Sequence, residues 1–119
     1  MRRDPRAYLW DVREASGLIA EFVRDIRFEE FCANALVRSA SERQFEVIGE
    51  ALSQLAKVDA ALASRVPDHR RIIAFRNVLI HGYATLDHHL VWRVIQEDLP
   101  VLRSCVDDLL DALDPPTKG

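Results

Sequence analysis

The sequence predicts an all-α protein, an up-and-down helical bundle, on three observations. Apolar residues recur every three or four positions through several long runs. Alternating strand patterns, internal repeats and low-complexity tracts are absent from the 119 residues. Most of the four glycines and five prolines fall between or at the edges of the periodic runs, where they punctuate helices. A chain of this length reads as one domain, over 1–113, burying roughly two-thirds of its unfolded surface. The remaining "DPPTKG", 114–119, is expected to be a disordered tail.

Asp4-Pro5 reads as a helix start, an N-cap carboxylate followed by proline at the first helical position. Tyr8, Val12, Ala15, Ile19, Phe22 and Ile26 then recur at helical spacing, so a long amphipathic helix is expected to about residue 26. "RFEEFCAN" reads as a short helical turn or connector. A second long helix is expected over about 34–57, with Val37, Ala40, Gln44, Ile48, Ala51 and Leu55 on one stripe. Its small residues, Ala40, Gly49, Ala51 and Ala56, permit close approach of a neighbouring helix. "VDAALASRV" gives another short helix, stopped by Pro67. Asp68 is expected to cap the next helix and Gly82 to end it. Asp87 caps the last, about 88–113, with Val91, Ile95, Leu99, Leu102, Val106, Leu109 and Leu113 inside. Pro100 lies within that run and should kink it, because it removes a backbone donor and crowds the preceding turn.

Hydrophobic residues at 49% and charged residues at 29% are ordinary for a soluble globular chain. No apolar run approaches the length of a membrane span, and "MRRDPRAYLWD" lacks the apolar core of a signal peptide. A cytoplasmic protein without membrane association is expected. Cys32 and Cys105 have no metal-like spacing and read as small core residues, not a disulfide. The net charge of −3 does not announce nucleic acid. Lys57 and Lys118 are the lysines, and arginine supplies the other positive charges. That favours bidentate phosphate contacts, and is equally what a GC-rich genome produces.

"FRNVLIHGY", 75–83, puts a charged guanidinium inside an apolar run. Stepping about 100° per residue from Ile72, Arg76 falls near 40°, between Leu79 and Ile80. Asn77 and His81 fall near 140° and 180°, on another side. On an unbroken helix Arg76 and His81 cannot meet over one atom. Either the helix ends at His81, as Gly82 suggests, or the site is assembled between two copies. The helix is apolar around most of its circumference, which suits its own bundle on one side and a second copy on the other. The chemistry fits phosphodiester cleavage. A histidine at a helix C-terminus is favoured in its charged form and suits proton transfer. A desolvated guanidinium stabilises the extra negative charge of a pentacoordinate phosphate. With the RNA 2′-hydroxyl as nucleophile, neither metal nor cofactor is required. The residues alone leave this reading open beside a second, a hydrogen-bonded structural arginine and a helix-ending histidine.

"RNVLIHGY" matches the R-x4-H-x-Y pattern of HEPN-domain proteins, and its surroundings resemble the HepT toxin family. The resemblance runs over about 4–110, through "DPRAYLWDVREA", "FEEFCAN", "SERQFEVIGEAL", "IIAFRNVLIHGY" and "VWRVIQEDLPVL". It implies the toxin of a type VII HepT/MntA toxin–antitoxin system: a metal-independent RNA endonuclease, dimeric, with the motifs of both subunits lining a shared cleft. Its partner would be an MntA-type minimal nucleotidyltransferase antitoxin that inactivates it by attaching AMP to tyrosine. By the same resemblance Arg76 and His81 match the catalytic pair, Asn77 the polar residue that follows the arginine, and Tyr83 the motif tyrosine. Some relatives accept AMP on a tyrosine two positions after the arginine. Val78 stands there in this chain, which leaves Tyr83 as the motif tyrosine for modification. The segment "VPDHRR" is short relative to many relatives, which leaves the rim of the cleft undefined.

Arg70 and Arg71 precede the motif and are candidates to guide RNA, or are plain surface charges near a helix start. Glu46 and Glu50, beside Arg43, are candidates to pair with a buried arginine such as Arg76, or form a solvated face. His88-His89 invites a metal reading. Adjacent helix residues diverge by about 100°, however, so solvated first-turn histidines are expected. Trp10 and Trp92 read as packing groups, and Tyr8 as core. A non-catalytic helical partner that docks a nucleotidyltransferase and presents Tyr83 stands as the alternative to the nuclease, mildly favoured by the acidic charge.

Overall fold

The first helix, α1 (Pro5–Phe22), starts as its sequence predicts. Asp4 Oδ1 accepts the Arg6 amide at 2.9 Å, and Pro5 occupies the first turn. The Arg6 guanidinium also donates to Asp4 Oδ2 at 2.6 Å. These hydrogen bonds pull the carboxyl down from its ordinary 3.8 to about 2. The computed structural model describes residues 3–82 and 86–113. Among them there is helix and connecting turn and no strand.

α1 stops short of the expected residue 26. The chain turns at 23–25, where Asp25 takes a left-handed φ of 61°, and Ile26 packs onto the core from outside the helix. α2 (Phe28–Ala33) is the expected short connector, its first turn tied by the Arg27 amide donating to Glu30 at 2.7 Å. α3 (Ala35–Val58) begins where Asn34 Oδ1 accepts the Val37 amide at 3.0 Å. Its deepest seam is Ser41, Phe45, Ile48, Leu52 and Leu55, one residue on from the predicted stripe in its first half; Ala40 and Gln44 are half-buried. α3 is covered from two sides, by α1 and by α5 (His69–His81), so its buried arc is wider than a single stripe.

α4 (Ala60–Ala63) is a single turn, opened by Asp59 accepting the Leu62 amide at 3.0 Å. Asp68 does not cap α5 as expected. It lies in the left-handed region (φ 58°, ψ 27°), and its side chain accepts no first-turn amide; only its carbonyl joins the ladder, accepting the Ile72 amide at 3.0 Å. Gly82 does end α5, but at φ −108°, without using glycine's left-handed freedom. Its amide closes on the Val78 carbonyl at 2.7 Å.

The last predicted helix is three pieces in one rod. α6 (His88–Arg93), capped by Asp87 accepting the His89 amide at 2.9 Å, passes into a π-helical turn at Val94–Asp98 and then α7 (Leu99–Leu113). The expected kink at Pro100 thus takes the form of a widened turn just before it. With no N–H on Pro100, the Gln96 carbonyl has no i+4 donor. The ladder is rephased instead, with the Leu99 amide reaching Val94.

α1 lies between α3 and α7, α5 packs chiefly on the far side of α3, and α2 bridges α3 to α6. Leu9, Val12 and Ile19 of α1 meet Phe45, Ile48 and Leu52 of α3 and Val106 and Leu110 of α7 in one buried cluster. The Phe45 and Phe75 rings join α3 to α5 edge-to-face, 5.2 Å apart. Tyr8 is buried, as expected. Trp92 packs against Phe31 at 5.1 Å and Phe28 at 6.0 Å, whereas Trp10 departs from its packing role. It is 48% exposed, beneath the Arg13 guanidinium at 4.9 Å. Cys32 and Cys105 are free thiols at the margin of the core, not within it. Burial pushes the Cys105 thiol up, away from the reactive thiolate. Among the described residues, no helix is long and apolar enough to cross a membrane.

Candidate active site

Ile72, Phe75 and Leu79 form the buried face of α5, and Arg76 leaves the helix beside them, toward α3. What lets a guanidinium lie there is Gly49. A Cβ on Gly49 would stand 2.7 Å from Arg76 Cγ and closer still to its Cβ, so the aliphatic stem of Arg76 occupies the place of the missing side chain. The charged end is then met by α3. Glu50 Oε1 accepts from Arg76 Nη2 at 2.7 Å, and the other Glu50 oxygen accepts from Gln54 Nε2 at 2.9 Å. Asn77 Oδ1 accepts from Arg76 Nη1 at 3.2 Å. The Arg76 side chain remains 28% exposed, while its Nε is enclosed and without a hydrogen-bond partner. A groove of about 330 Å³, lined by Arg43, Glu46, Val47, Glu50, Arg76 and Ile80, opens beside it.

His81 is the last residue of α5 and is exposed. The helix is continuous from Arg76 to His81, which separates them by about 140° around the axis and about 7.5 Å along it. Within one chain the two do not converge. Asn77 is exposed and accepts from Nη1 of Arg76, the terminal nitrogen that Glu50 does not take. Tyr83 lies outside the described residues. Of the expected RNA-guiding arginines, Arg70 is exposed and Arg71 is paired with Asp98 at 3.3 Å, on the π-helical turn. Glu46 pairs with Arg43 at 3.5 Å, and Glu50, of the two acids, is the one that takes Arg76.

Two features were not anticipated. Gln54 completes the hydrogen-bond chain Gln54–Glu50–Arg76–Asn77; its i+4 spacing from Glu50 was the available signal. His88, read as solvated, is half-buried with its Nδ1 enclosed. Burial pushes the Glu42 carboxyl up, and His88 partly opposes that. His89 does remain exposed, its ring 4.3 Å from Phe28.

A family model described as ribonuclease HepT-like matches residues 12–109. A candidate ribonuclease HepT of Thermococcus cleftensis is 35% identical over 109 residues, covering 92% of this chain and 98% of that one. A candidate RNase of Methanocaldococcus jannaschii is 34% identical over 106 residues, covering 89% and 96%. Another, of Caldanaerobacter subterraneus subsp. tengcongensis, is 32% identical over 108 residues, covering 91% and 96%. No solved structure matches the chain.

Proposed function

Because the chain belongs to the HepT-like ribonuclease family, we propose that it is a metal-independent endoribonuclease with Arg76 and His81 as its catalytic pair. Ribonuclease activity on an RNA substrate follows from the family itself. The choice of residues rests on one observation: Arg76 is braced in a half-buried seat with N–H groups to spare, five positions before an exposed histidine on the same helix.

The RNA 2′-hydroxyl attacks the adjacent phosphorus, and the bond from phosphorus to the 5′-oxygen breaks. His81 takes the 2′-hydroxyl proton, and the departing 5′-oxygen gains one from a protonated imidazole. Arg76 binds the phosphoryl oxygens as charge builds on them. The products are a 2′,3′-cyclic phosphate and a 5′-hydroxyl. One chain holds its Arg76 and His81 apart, so the working site is shared in a homodimer, where the partner's His81 supplies the second proton transfer. Val78 and Ile80 support this arrangement: they lie within the motif, between Arg76 and His81, and are 45% and 37% exposed on α5. Sedimentation of the wild type at micromolar concentration should give a dimer, and Val78→Asp with Ile80→Asp a monomer without activity. A stable, active wild-type monomer would remove the composite site.

As the toxin of a HepT/MntA pair, the chain is held in check by a nucleotidyltransferase that attaches AMP to Tyr83. A phosphate two residues past His81 would occupy the groups that otherwise hold the scissile phosphate. Co-expression with the partner should yield a chain heavier by one or more AMP units on Tyr83, absent from Tyr83→Phe. Peptide mass spectrometry showing AMP only elsewhere, or no adduct despite neutralisation, rejects this control. The non-catalytic alternative has one observation in its favour, since a purely structural arginine would make the same bond to Glu50. Loss or survival of cleavage in the Arg76 and His81 variants decides between the two.

A further inference from the structure

The geometry points to Glu50 as a positioning residue for the Arg76 guanidinium, an inference that rests on the catalytic reading of Arg76. The arginine side chain is long and rotamer-rich, and a groove-lining position alone would leave its planar end free to swing. Three contacts stop that here. Gly49 lets the stem lie flat on α3. Asn77 Oδ1 accepts from Nη1 at 3.2 Å. Glu50 Oε1 accepts from Nη2 at 2.7 Å, the shorter of the two bonds and the one between two charged groups. Glu50 is itself held, since Gln54 donates to its second oxygen at 2.9 Å. The brace therefore runs from one helix to the fork of a side chain on another.

Each terminal nitrogen of a guanidinium carries two protons. Glu50 and Asn77 take one from each, which leaves one N–H on each side of the fork for the two oxygens of a phosphate. The groove beside Arg76 is where that phosphate has room. Stability is a poor reason for this ion pair, because Glu50 is 49% exposed and such pairs contribute little to folding. Aim is a better one, since misplacing a reacting group by about 1 Å can cost about 10²-fold in rate. A carboxylate so close to the arginine also offers the opposite effect, competition with the phosphate for the same charge, and the two effects predict opposite changes in kcat.

The test uses Glu50→Ala and Glu50→Gln in the full chain, with steady-state cleavage of a single-stranded RNA and melting temperature measured together. Glu50→Ala should lower kcat by about 10- to 100-fold with KM nearly unchanged and melting close to wild type. Glu50→Gln, which keeps an acceptor oxygen, should recover most of that loss. Nuclear magnetic resonance of the guanidinium should show hindered Nε–Cζ rotation of Arg76 in the wild type and free rotation in Glu50→Ala. An unchanged or raised kcat, or an Arg76 as restrained in Glu50→Ala as before, overturns the positioning role. Arg76→Ala run alongside separates this from the underlying reading. If Arg76→Ala still cleaves, the catalytic assignment fails, and the rotation measurement still decides whether Glu50 holds the guanidinium.

Discussion

Arg76→Ala and His81→Ala should each lower cleavage of single-stranded RNA by about 10²- to 10⁴-fold, in EDTA as well as in magnesium. The two losses have different origins. Removing the imidazole withdraws the proton acceptor and donor, whereas removing the guanidinium leaves the doubly charged phosphorane facing only water and Asn77. Neither change should unfold the chain. His81 is exposed at a helix end, and Arg76 is paired with a half-exposed Glu50, so each variant should stay within about 1 kcal/mol of wild type. Arg76→Lys should not restore activity, because an ammonium is a point charge and cannot span two phosphoryl oxygens as the planar fork does. Activity that depends on a divalent ion, or that survives His81→Ala with normal KM, would show that the acid–base role lies elsewhere.

Among the described glycines, Gly49 should be the one that least tolerates an added methyl group. In an exposed helix the change from glycine to alanine is stabilising by about 1 kcal/mol. At Gly49 the new Cβ would fall 2.7 Å from Arg76 Cγ and nearer still to its Cβ, which the backbone fixes and no side-chain rotation can move aside. α5 must then back away from α3, which opens the Phe45–Phe75 contact and lifts Arg76 off Glu50. Overpacking of this kind costs about 1–3 kcal/mol. The catalytic loss should be larger than that stability loss explains, since cleavage depends on where the guanidinium points. Gly17 provides the control. Nothing lies within 4 Å of a Cβ built there, so Gly17→Ala should leave activity intact and raise the melting temperature. A Gly49→Ala variant with wild-type melting and cleavage would mean that the α3–α5 approach is softer than its geometry states.

The bundle and most of its helix starts were readable because each depends on short-range rules. Asp4-Pro5 and Asp87 cap as their sequences say, and Gly49 does permit a close helix approach. What was not readable depends on the third dimension. The repeat in α3 points to a seam through Ala40 and Gln44, whereas Ser41 and Phe45 carry it, because α3 is covered on two sides and its buried arc is wider than one stripe. Asp68 has a capping side chain but a left-handed backbone, imposed by the turn that precedes it. The choice of Glu50 over Glu46 for Arg76 follows from the offset between α3 and α5, which spacing within either helix does not contain.

The π-helical turn at Val94–Asp98 acts as a phase shifter within the last rod. A π turn holds one more residue than the α turn it replaces, so residues beyond it are advanced by about 100° relative to an uninterrupted helix. At its upstream end, Leu90 and Val94, the first residue of the turn, line one cavity with Ile72, Phe75 and Val78 of α5. Downstream, Leu102, Val106 and Leu110 belong to the core beneath α1. One straight helix would have a single apolar stripe to divide between two partners lying in different directions. The shift gives each half its own stripe. The surface that abuts the motif helix and the surface that closes the core can therefore vary independently, although they belong to one continuous element.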